Sequence, residues 1–440
     1  MNSPHTKPNP SPEKLRIAII GAGIGGLACA LALKQCDNID VDLYEQAAQI
    51  AEIGAGIAVW PRTWEILKSL GLEDDLSCLL KEPPSNTPKV AFEMRLSDRR
   101  NGFTFRKIYT KDGGFCFHRS DLQSALMRHL ADSCRLHLSH RVERCEEEVN
   151  AVKLFFDNGL FASYDLVIGA DGIKSTVRQY VSSAGELQFS GSKAFRGLIP
   201  RERLMHLFPN HRALVNPIMY NGKYKHIVVY PINGAKLINI VAFVSNPDED
   251  GKIIPELEVR QATTKEVIES FSEWETEAIE LLSTIENPSC WPIRDLIPLS
   301  TYASRRILLL GDAAHAMTPH LGAGAGQAIE DGYVLGRLFQ KFMSDPSTHD
   351  PEGLPRLVKI YDGIRRPFAN YLQSISRKQG YYNELNMPEF SDVQQEGQEL
   401  SGYQILALGR ALKENWSWWE ECADGEMEQA LQILEAQGKL

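Results

Sequence analysis

The sequence contains no Cys-x-x-Cys pair and no group of His and Cys at metal-ligand spacing; its eight cysteines are scattered over 440 residues. That pattern excludes the common structural zinc sites and predicts reduced intracellular thiols with no bound metal. Positive charge is in deficit. Lys and Arg total 47 against 57 Asp and Glu, a net charge of −10. A general nucleic-acid or anionic-membrane binder is disfavoured by that balance, and an anionic substrate would need cations placed locally. No apolar stretch is long enough to span a bilayer. Residues 1–13 are polar with four prolines and have no apolar core of a signal peptide. They predict a disordered tail on a soluble, cytoplasmic protein. There is no internal repeat, and only one glycine fingerprint of the dinucleotide-binding type.

That fingerprint dominates residues 14–45, KLRIAIIGAGIGGLACALALKQCDNIDVDLYE. An apolar run ends at Ile20, a glycine turn follows, then an Ala/Leu-rich helical run, then a second apolar run closing on Glu45. This is the order of a dinucleotide-binding βαβ unit. Gly21 allows the tight turn, Gly23 lets backbone N–H groups approach a pyrophosphate, and Gly26 lets the helix lie close to the sheet. Glu45 lies 24 positions after Gly21, near the usual spacing of about 20 for the acid that takes ribose hydroxyls. An acid there favours a free 2′-OH, as in FAD or NAD. The alternative is a plain glycine-rich αβ turn.

Further along, 54–58 reads as a glycine-rich turn and 63–70 as a short amphipathic helix. A Pro/Ser/Asn linker at 81–88 marks a first crossing out of the nucleotide-binding part. His118-Arg119-Ser120-Asp121 precedes a helix over 122–131, with Ser120 or Asp121 as its cap. The run 164–170 is of the buried-strand type and enters Asp171-Gly172-Ile173-Lys174-Ser175. From residue 194 the pattern becomes antiparallel, with strands expected at 194–200, 213–220, 226–232 and 235–244. Asn221-Gly222 and Asn233-Gly234 are read as the turns between them. A helical stretch follows over 264–285. A buried strand at 306–310 enters Gly311-Asp312-Ala313-Ala314-His315, and a long helix is expected over 327–342. His315 and His320, five apart, have no carboxylate placed with them and are poor metal ligands. Trp416, Trp418 and Trp419 are read as packing anchors.

Three segments thus share one form, a buried strand running into a glycine/aspartate turn and a helix. Their motifs, GAGIGG, ADGIKSTVR and GDAAHAMTPHLGAGAGQAIED, together resemble the fingerprints of the FAD-dependent aromatic hydroxylases, in the family's order and over nearly the whole chain. The salicylate-hydroxylase-like members and the related dearomatising phenol hydroxylases are the most similar in pattern. The resemblance implies an α/β fold: a discontinuous Rossmann-like FAD domain (14–84, 115–190 and 286–345), an inserted β-meander substrate domain (85–114 and 191–285) and a helical C-terminal part (346–440). It implies resident FAD and a transient NADH or NADPH. The implied reaction is hydroxylation of a small phenolic or hydroxybenzoate-type aromatic with O₂ through a flavin hydroperoxide, with decarboxylation or dearomatisation left open. Either a monomer or a homodimer is compatible with it.

Residue by residue, the resemblance gives Asp312 a ribityl hydroxyl, Arg119 the FAD phosphates, and Ala58, Gly322, Gly324 and Ala325 the surroundings of the flavin ring. Asp171 and Arg178 serve structure and nicotinamide or pyrophosphate binding more than the chemical step. Arg196 would hold a substrate anion, since a guanidinium offers planar paired donors and stays charged. His226, Val228 and Tyr230 alternate onto one face of a strand. His226 would act as base and Tyr230 would hydrogen-bond the phenolate or relay its proton. Each has a structural alternative: a helix cap for Asp312, ion pairs for Arg119 and Arg196, core packing for His226 and Tyr230. Two departures from the family pattern, Leu321 and the run Trp60-Pro61-Arg62-Thr63, bear on the substrate rather than on the reaction. The competing functions are a flavin oxidase or dehydrogenase and a non-catalytic FAD-fold binding protein.

Overall fold

The computed structural model describes residues 14–50, 56–130, 134–182, 185–254, 257–345 and 352–437. The tail read at 1–13 and the first part of the glycine-rich segment 54–58 lie outside the described residues.

Leu15–Ile20 is the middle strand of a five-stranded parallel sheet. The order is Ile307–Leu309, Leu166–Gly169, Leu15–Ile20, Ile39–Tyr44, Arg135–His137. Ile17 and Ile19 enter a core shared with the helices Ile24–Leu33, Arg119–Leu130 and Gly324–Ser344, while Ala18 and Ile20 enter a second core. The second core is covered by a three-stranded antiparallel sheet, Val142–Glu147, Val152–Phe156 and Phe161–Tyr164. Burial on both faces is why these strands read as unbroken apolar runs rather than alternating ones. Gly21 has φ +110°, and a Cβ on Gly26 would stand 2.0 Å from the Gly21 carbonyl oxygen. Neither position admits a side chain without moving the helix off the strand.

A second sheet has eight strands, in the order Arg260–Gln261, Ser289–Leu296, Leu187–Pro200, Leu237–Asp250, Lys225–Ile232, Ile218–Gly222, Pro88–Leu96, Phe103–Lys111. All neighbours are antiparallel except Ile218–Gly222 and Pro88–Leu96. Phe195, Ile227, Val229, Ile238, Ile240 and Ala242 pack on one face with residues of the helices Arg201–Leu207, Thr264–Ser270 and Thr276–Ser283. The opposite face looks toward the parallel-sheet unit.

The structure corrects several sequence expectations. Asn221-Gly222 is not a turn. Asn221 is fully buried and donates from Nδ2 to the Arg95 and Met219 carbonyls, both at 3.0 Å, and Gly222 pairs with Lys225. The turn falls two residues later, where Tyr224 takes φ +59°. Asn233 and Gly234 do form a turn, with φ +51° and +59°. The segment expected as strand from 213 begins with a short 3₁₀ turn, Arg212–Leu214. The helical stretch 264–285 divides in two. Ser289–Leu296, read with the nucleotide-binding part, pairs instead with Leu187–Pro200 in the larger sheet. Residues 56–58, read as turn, belong to the strand Gly56–Val59, which pairs with Phe115–His118. The helix after His118 starts at Arg119 itself.

The C-terminal part is helical, with Gly353–Asn383, Gly402–Glu414 and Asp424–Gln437. Trp416, Trp418 and Trp419 are buried, and Trp416 and Trp419 stand with Trp60 in a cluster whose ring centres are 4.3 to 6.1 Å apart. Among the described residues no helix is long and apolar enough to cross a membrane.

Candidate active site

A cavity of about 410 Å³ lies between the two sheets. At one end its wall is backbone: Gly23 and Gly25 at the start of the first helix, then Gly172, Gly311 and Gly324. The first helix has no side-chain cap and no acid in its first turn, so its N-terminal N–H groups and positive dipole end are left for an anion. A Cβ added to Gly23 would meet nothing within 4 Å. Asp312 is exposed into the same cavity and makes no hydrogen bond or ion pair among the described residues. These features fit a dinucleotide, with a pyrophosphate at Gly23 and a hydroxyl at Asp312.

Of the residues expected at the cofactor, Gly23, Ala58, Arg119, Asp312, Gly322, Gly324 and Ala325 line this one cavity. Gly21 and Gly26 stand behind it as packing positions. Glu45 is outside the lining; its carboxylate accepts the N–H groups of Ala22 at 3.0 Å and Ala47 at 2.9 Å. It braces the glycine turn from behind. Asp171 accepts from the Ser175 hydroxyl and from the N–H groups of Thr176 and Val177, while Arg178 donates to the carbonyls of Ala313 and Ile173. Both hold the backbone of neighbouring turns.

Behind Gly311 is a buried ion network that the sequence did not suggest. Asp331 accepts the Gly311 N–H at 2.8 Å, bonds His315 Nε2 at 2.6 Å and pairs with Arg365 Nε at 2.7 Å. Glu330 pairs with Arg62 through two bonds of 2.8 Å and with Arg365. Three helices, Pro61–Ser69, Gly324–Ser344 and Gly353–Asn383, are tied at this point. His315 is thus engaged by Asp331, remote in role from His320.

The other end of the cavity is walled by side chains: Arg196, Tyr230, Val228, Phe243, Met219 and His320. Arg196 has a buried Nε without a partner and forms no ion pair among the described residues; its guanidinium lies 4.8 Å from the centre of the Trp291 ring. Burial lowers its pKa, and the nearby Arg119 charge adds to that. A guanidinium with a buried, unpartnered Nε and no anion among the described residues suits an anionic ligand. Tyr230 donates its hydroxyl to the Gly56 carbonyl at 3.1 Å, and burial pushes its pKa far up. It is a fixed, protonated phenol at neutral pH.

His226 is where the structure departs most from expectation. It shares a strand face with Val228 and Tyr230 but does not reach the cavity. It is fully buried, bonded through Nδ1 to Glu384 at 2.9 Å, and stacked on Phe243 at 4.2 Å. Burial pulls its pKa down to about 3. The histidine that does line the cavity is His320, from the 3₁₀ turn Pro319–Leu321. Its Nδ1 has no hydrogen-bond partner among the described residues, and burial pulls its pKa also to about 3. The signal is in the sequence: His320 sits inside the motif expected beside the flavin ring.

The two departures from the family pattern touch one another. Trp60 Nε1 donates to the Leu321 carbonyl at 3.0 Å, and both residues line the cavity with Trp416. Trp416 is therefore a wall of the site as well as a packing anchor.

The buried histidines give a pH dependence. Their ordinary pKa is near ~6.5, and the fold holds both at about 3. Between those values the unfolded chain binds protons that the folded one refuses. Stability therefore falls as pH drops from about 6.5 toward 3. Glu384, pushed by burial from 4.5 to about 7, opposes this: its contribution is lost as pH rises from about 4.5 to 7. Two groups outweigh one. The melting temperature is expected to fall between pH 6.5 and 5, and His226→Asn to flatten that slope; a slope unchanged in the variant would remove His226 as its source.

Residues 14–373 match the family model described as "FAD binding domain". A salicylate hydroxylase of Pseudomonas putida is 34% identical over 415 residues, covering 92% of each chain. A 6-methylsalicylate 1-monooxygenase of Aspergillus terreus is 32% identical over 366 residues, 80% of this chain and 79% of that one. A solved salicylate hydroxylase substrate complex superposes with TM-score 0.82 at 30% identity, covering 96% of this chain and 98% of that one.

Proposed function

Because this chain belongs to the FAD-dependent aromatic hydroxylases, we propose that it hydroxylates a hydroxybenzoate-type aromatic, a ring bearing both a hydroxyl and a carboxylate. The observation that carries this reading is Arg196: a half-buried cation in the side-chain wall of the cavity, its Nε buried and unpartnered, with no carboxylate paired to it among the described residues. With Arg119 it places local positive charge in the cavity of a chain whose net charge is −10. Phe243, Val228 and Met219 suit the faces of one aromatic ring.

FAD would lie with its phosphates at Gly23, its ribityl chain at Asp312 and its ring along Gly322–Ala325; when bound it supplies electrons from NADH or NADPH and the activation of O₂. The protein's own residues hold and prepare the ring. Arg196 anchors the anionic group. His320, neutral at working pH, accepts the hydrogen bond of the substrate hydroxyl and passes its proton on rather than keeping it, which makes the ring electron-rich. Tyr230, its hydroxyl fixed on the Gly56 carbonyl, bounds the ring from the same strand as Val228. Trp60, Leu321 and Trp416 exclude water. His226 touches no substrate.

The test is NADH and NADPH oxidation screened across hydroxybenzoates, with product mass and ¹⁸O₂ incorporation. The expected product carries one oxygen from O₂, and its mass shows directly whether CO₂ is lost. Stimulated oxidation without incorporation would make the protein an oxidase; no stimulation by any hydroxybenzoate would end the substrate reading.

A further inference from the structure

We propose that Glu384 conducts the proton taken from the substrate hydroxyl out of the active-site cavity to solvent, receiving it from the His320 side. The proposal rests on the hydroxybenzoate reading and adds a proton path that the reading does not require.

His320 stands in a partition. It lines the main cavity on one side and, on the other, a second small cavity of about 10 Å³, room for about one water molecule. Glu384 and Ser192, both buried, line that second cavity together with Asp250, Arg377 and Tyr381. Asp250 and Arg377 are 24% and 19% exposed, so the outer end meets water. The partition is thin because Gly380 of the helix Gly353–Asn383 packs on the imidazole; a Cβ there would stand 2.7 Å from His320 Nε2.

The groups facing Glu384 come from every side. His226 Nδ1 bonds it at 2.9 Å, and the Ser245 hydroxyl donates to it at 2.8 Å. Ser245 in turn bonds Ser192. His320 interacts with it electrostatically across the small cavity, and Asp250 from farther out. On its own helix, Arg377 is held by Asp295 and Asp250, and Tyr381 bonds Asp250. Lys223 donates to the carbonyl of the next residue, Leu385. Among the described residues no Lys or Arg pairs with the Glu384 carboxyl, and burial pushes it up to about 7, with the Ser245 hydrogen bond opposing. A carboxyl so placed both accepts and releases a proton near neutrality. His226, which holds Glu384 in place, then has a role without reaching substrate: it is a positioning residue.

The step is proton transfer only. The substrate O–H bond breaks to His320 nitrogen, the proton passes to a Glu384 carboxylate oxygen through a water in the small cavity, and it leaves to bulk water past Ser192 and Asp250. Nothing is oxidised or reduced.

The experiment uses the FAD-loaded protein and salicylate, with proton release followed by an indicator dye in weakly buffered solution and binding followed by flavin absorbance. E384Q is expected to slow proton release by about tenfold or more and to raise the solvent deuterium effect on turnover, with FAD content and the salicylate dissociation constant little changed. Glu384→Asp should recover part of the rate. Ser192→Val, which fills the small cavity and leaves the buried carboxyl intact, should slow release as well. A normal release rate in E384Q, or in Ser192→Val should E384Q not fold, overturns the path; so does slowing accompanied by equal loss of flavin or salicylate binding. If the unmodified protein neither binds salicylate or another hydroxybenzoate nor releases a proton, the substrate reading itself fails and takes the path with it. Normal release in the unmodified protein and in E384Q alike removes the path alone.

Discussion

Arg365→Ala is expected to destabilise the folded protein by about 3–5 kcal/mol and to loosen the FAD site with it. Arg365 is fully buried and is shared by Asp331, Glu330 and Gln327, all fully buried as well. Removing it leaves Glu330 with Arg62 and Asp331 with His315, two carboxylates whose charge is then only partly compensated inside the protein. The cost comes from those uncompensated charges rather than from the loss of an intrinsically strong pair. Asp331 also holds the Gly311 N–H, and Gly311 is followed by the Asp312 that faces the cofactor cavity. The turn should therefore lose its anchor as the helices part. Thermal unfolding and release of flavin fluorescence, measured on the FAD-loaded protein, check both effects. A melting temperature equal to that of the unmodified protein would show that Arg62 and His315 suffice.

That network marks where sequence reading stops. The strand–turn–helix units were legible because each is local: a both-sides-buried strand is an unbroken apolar run, and the turn after it needs glycine or aspartate within a few residues. The ion network joins Arg62, Glu330 and Arg365, which are 268 and 35 residues apart in the pairs that matter; a single sequence holds no signal of that pairing. The period of two correctly put His226, Val228 and Tyr230 on one face of their strand. It could not say that the C-terminal end of the helix Gly353–Asn383 brings Glu384 over His226 and closes it off from the cavity. Asn221-Gly222 failed for a similar reason. Its turn chemistry is real, but a buried amide bonded to two strand carbonyls outweighs it, and the chain turns at Lys223 and Tyr224 instead. Trp416 read as packing because its partners, Trp60 and Phe92, lie more than 300 residues earlier.

Arg196→Ala is expected to lower kcat/KM for a hydroxybenzoate by roughly 30- to 3,000-fold, the range that follows from about 2–5 kcal/mol for removing one partner of a buried charge pair at about 1.4 kcal/mol per decade. FAD content should stay at the unmodified level, because Arg196 lies at the side-chain end of the cavity, with Tyr230 and Trp291, away from Gly23 and Asp312. Arg196→Lys should recover only part of the loss, since a lysine keeps the charge but gives up the planar paired donors and the stacking on Trp291. The division of the loss between kcat and KM is informative. A rise in KM alone would mean that the guanidinium binds the anionic ring equally throughout the reaction; an equal fall in kcat and kcat/KM would mean that it acts chiefly as charge develops on the ring oxygen. Loss of flavin in place of turnover would move Arg196 into the structural framework, and the unpartnered Nε would then need another explanation. The pH profile separates Arg196 from the proton acceptor behind His320. Arg196 stays charged across the working range, so its removal should scale the profile without shifting it, whereas Glu384, pushed by burial to about 7, has an ionisation inside that range and its replacement should move a limb.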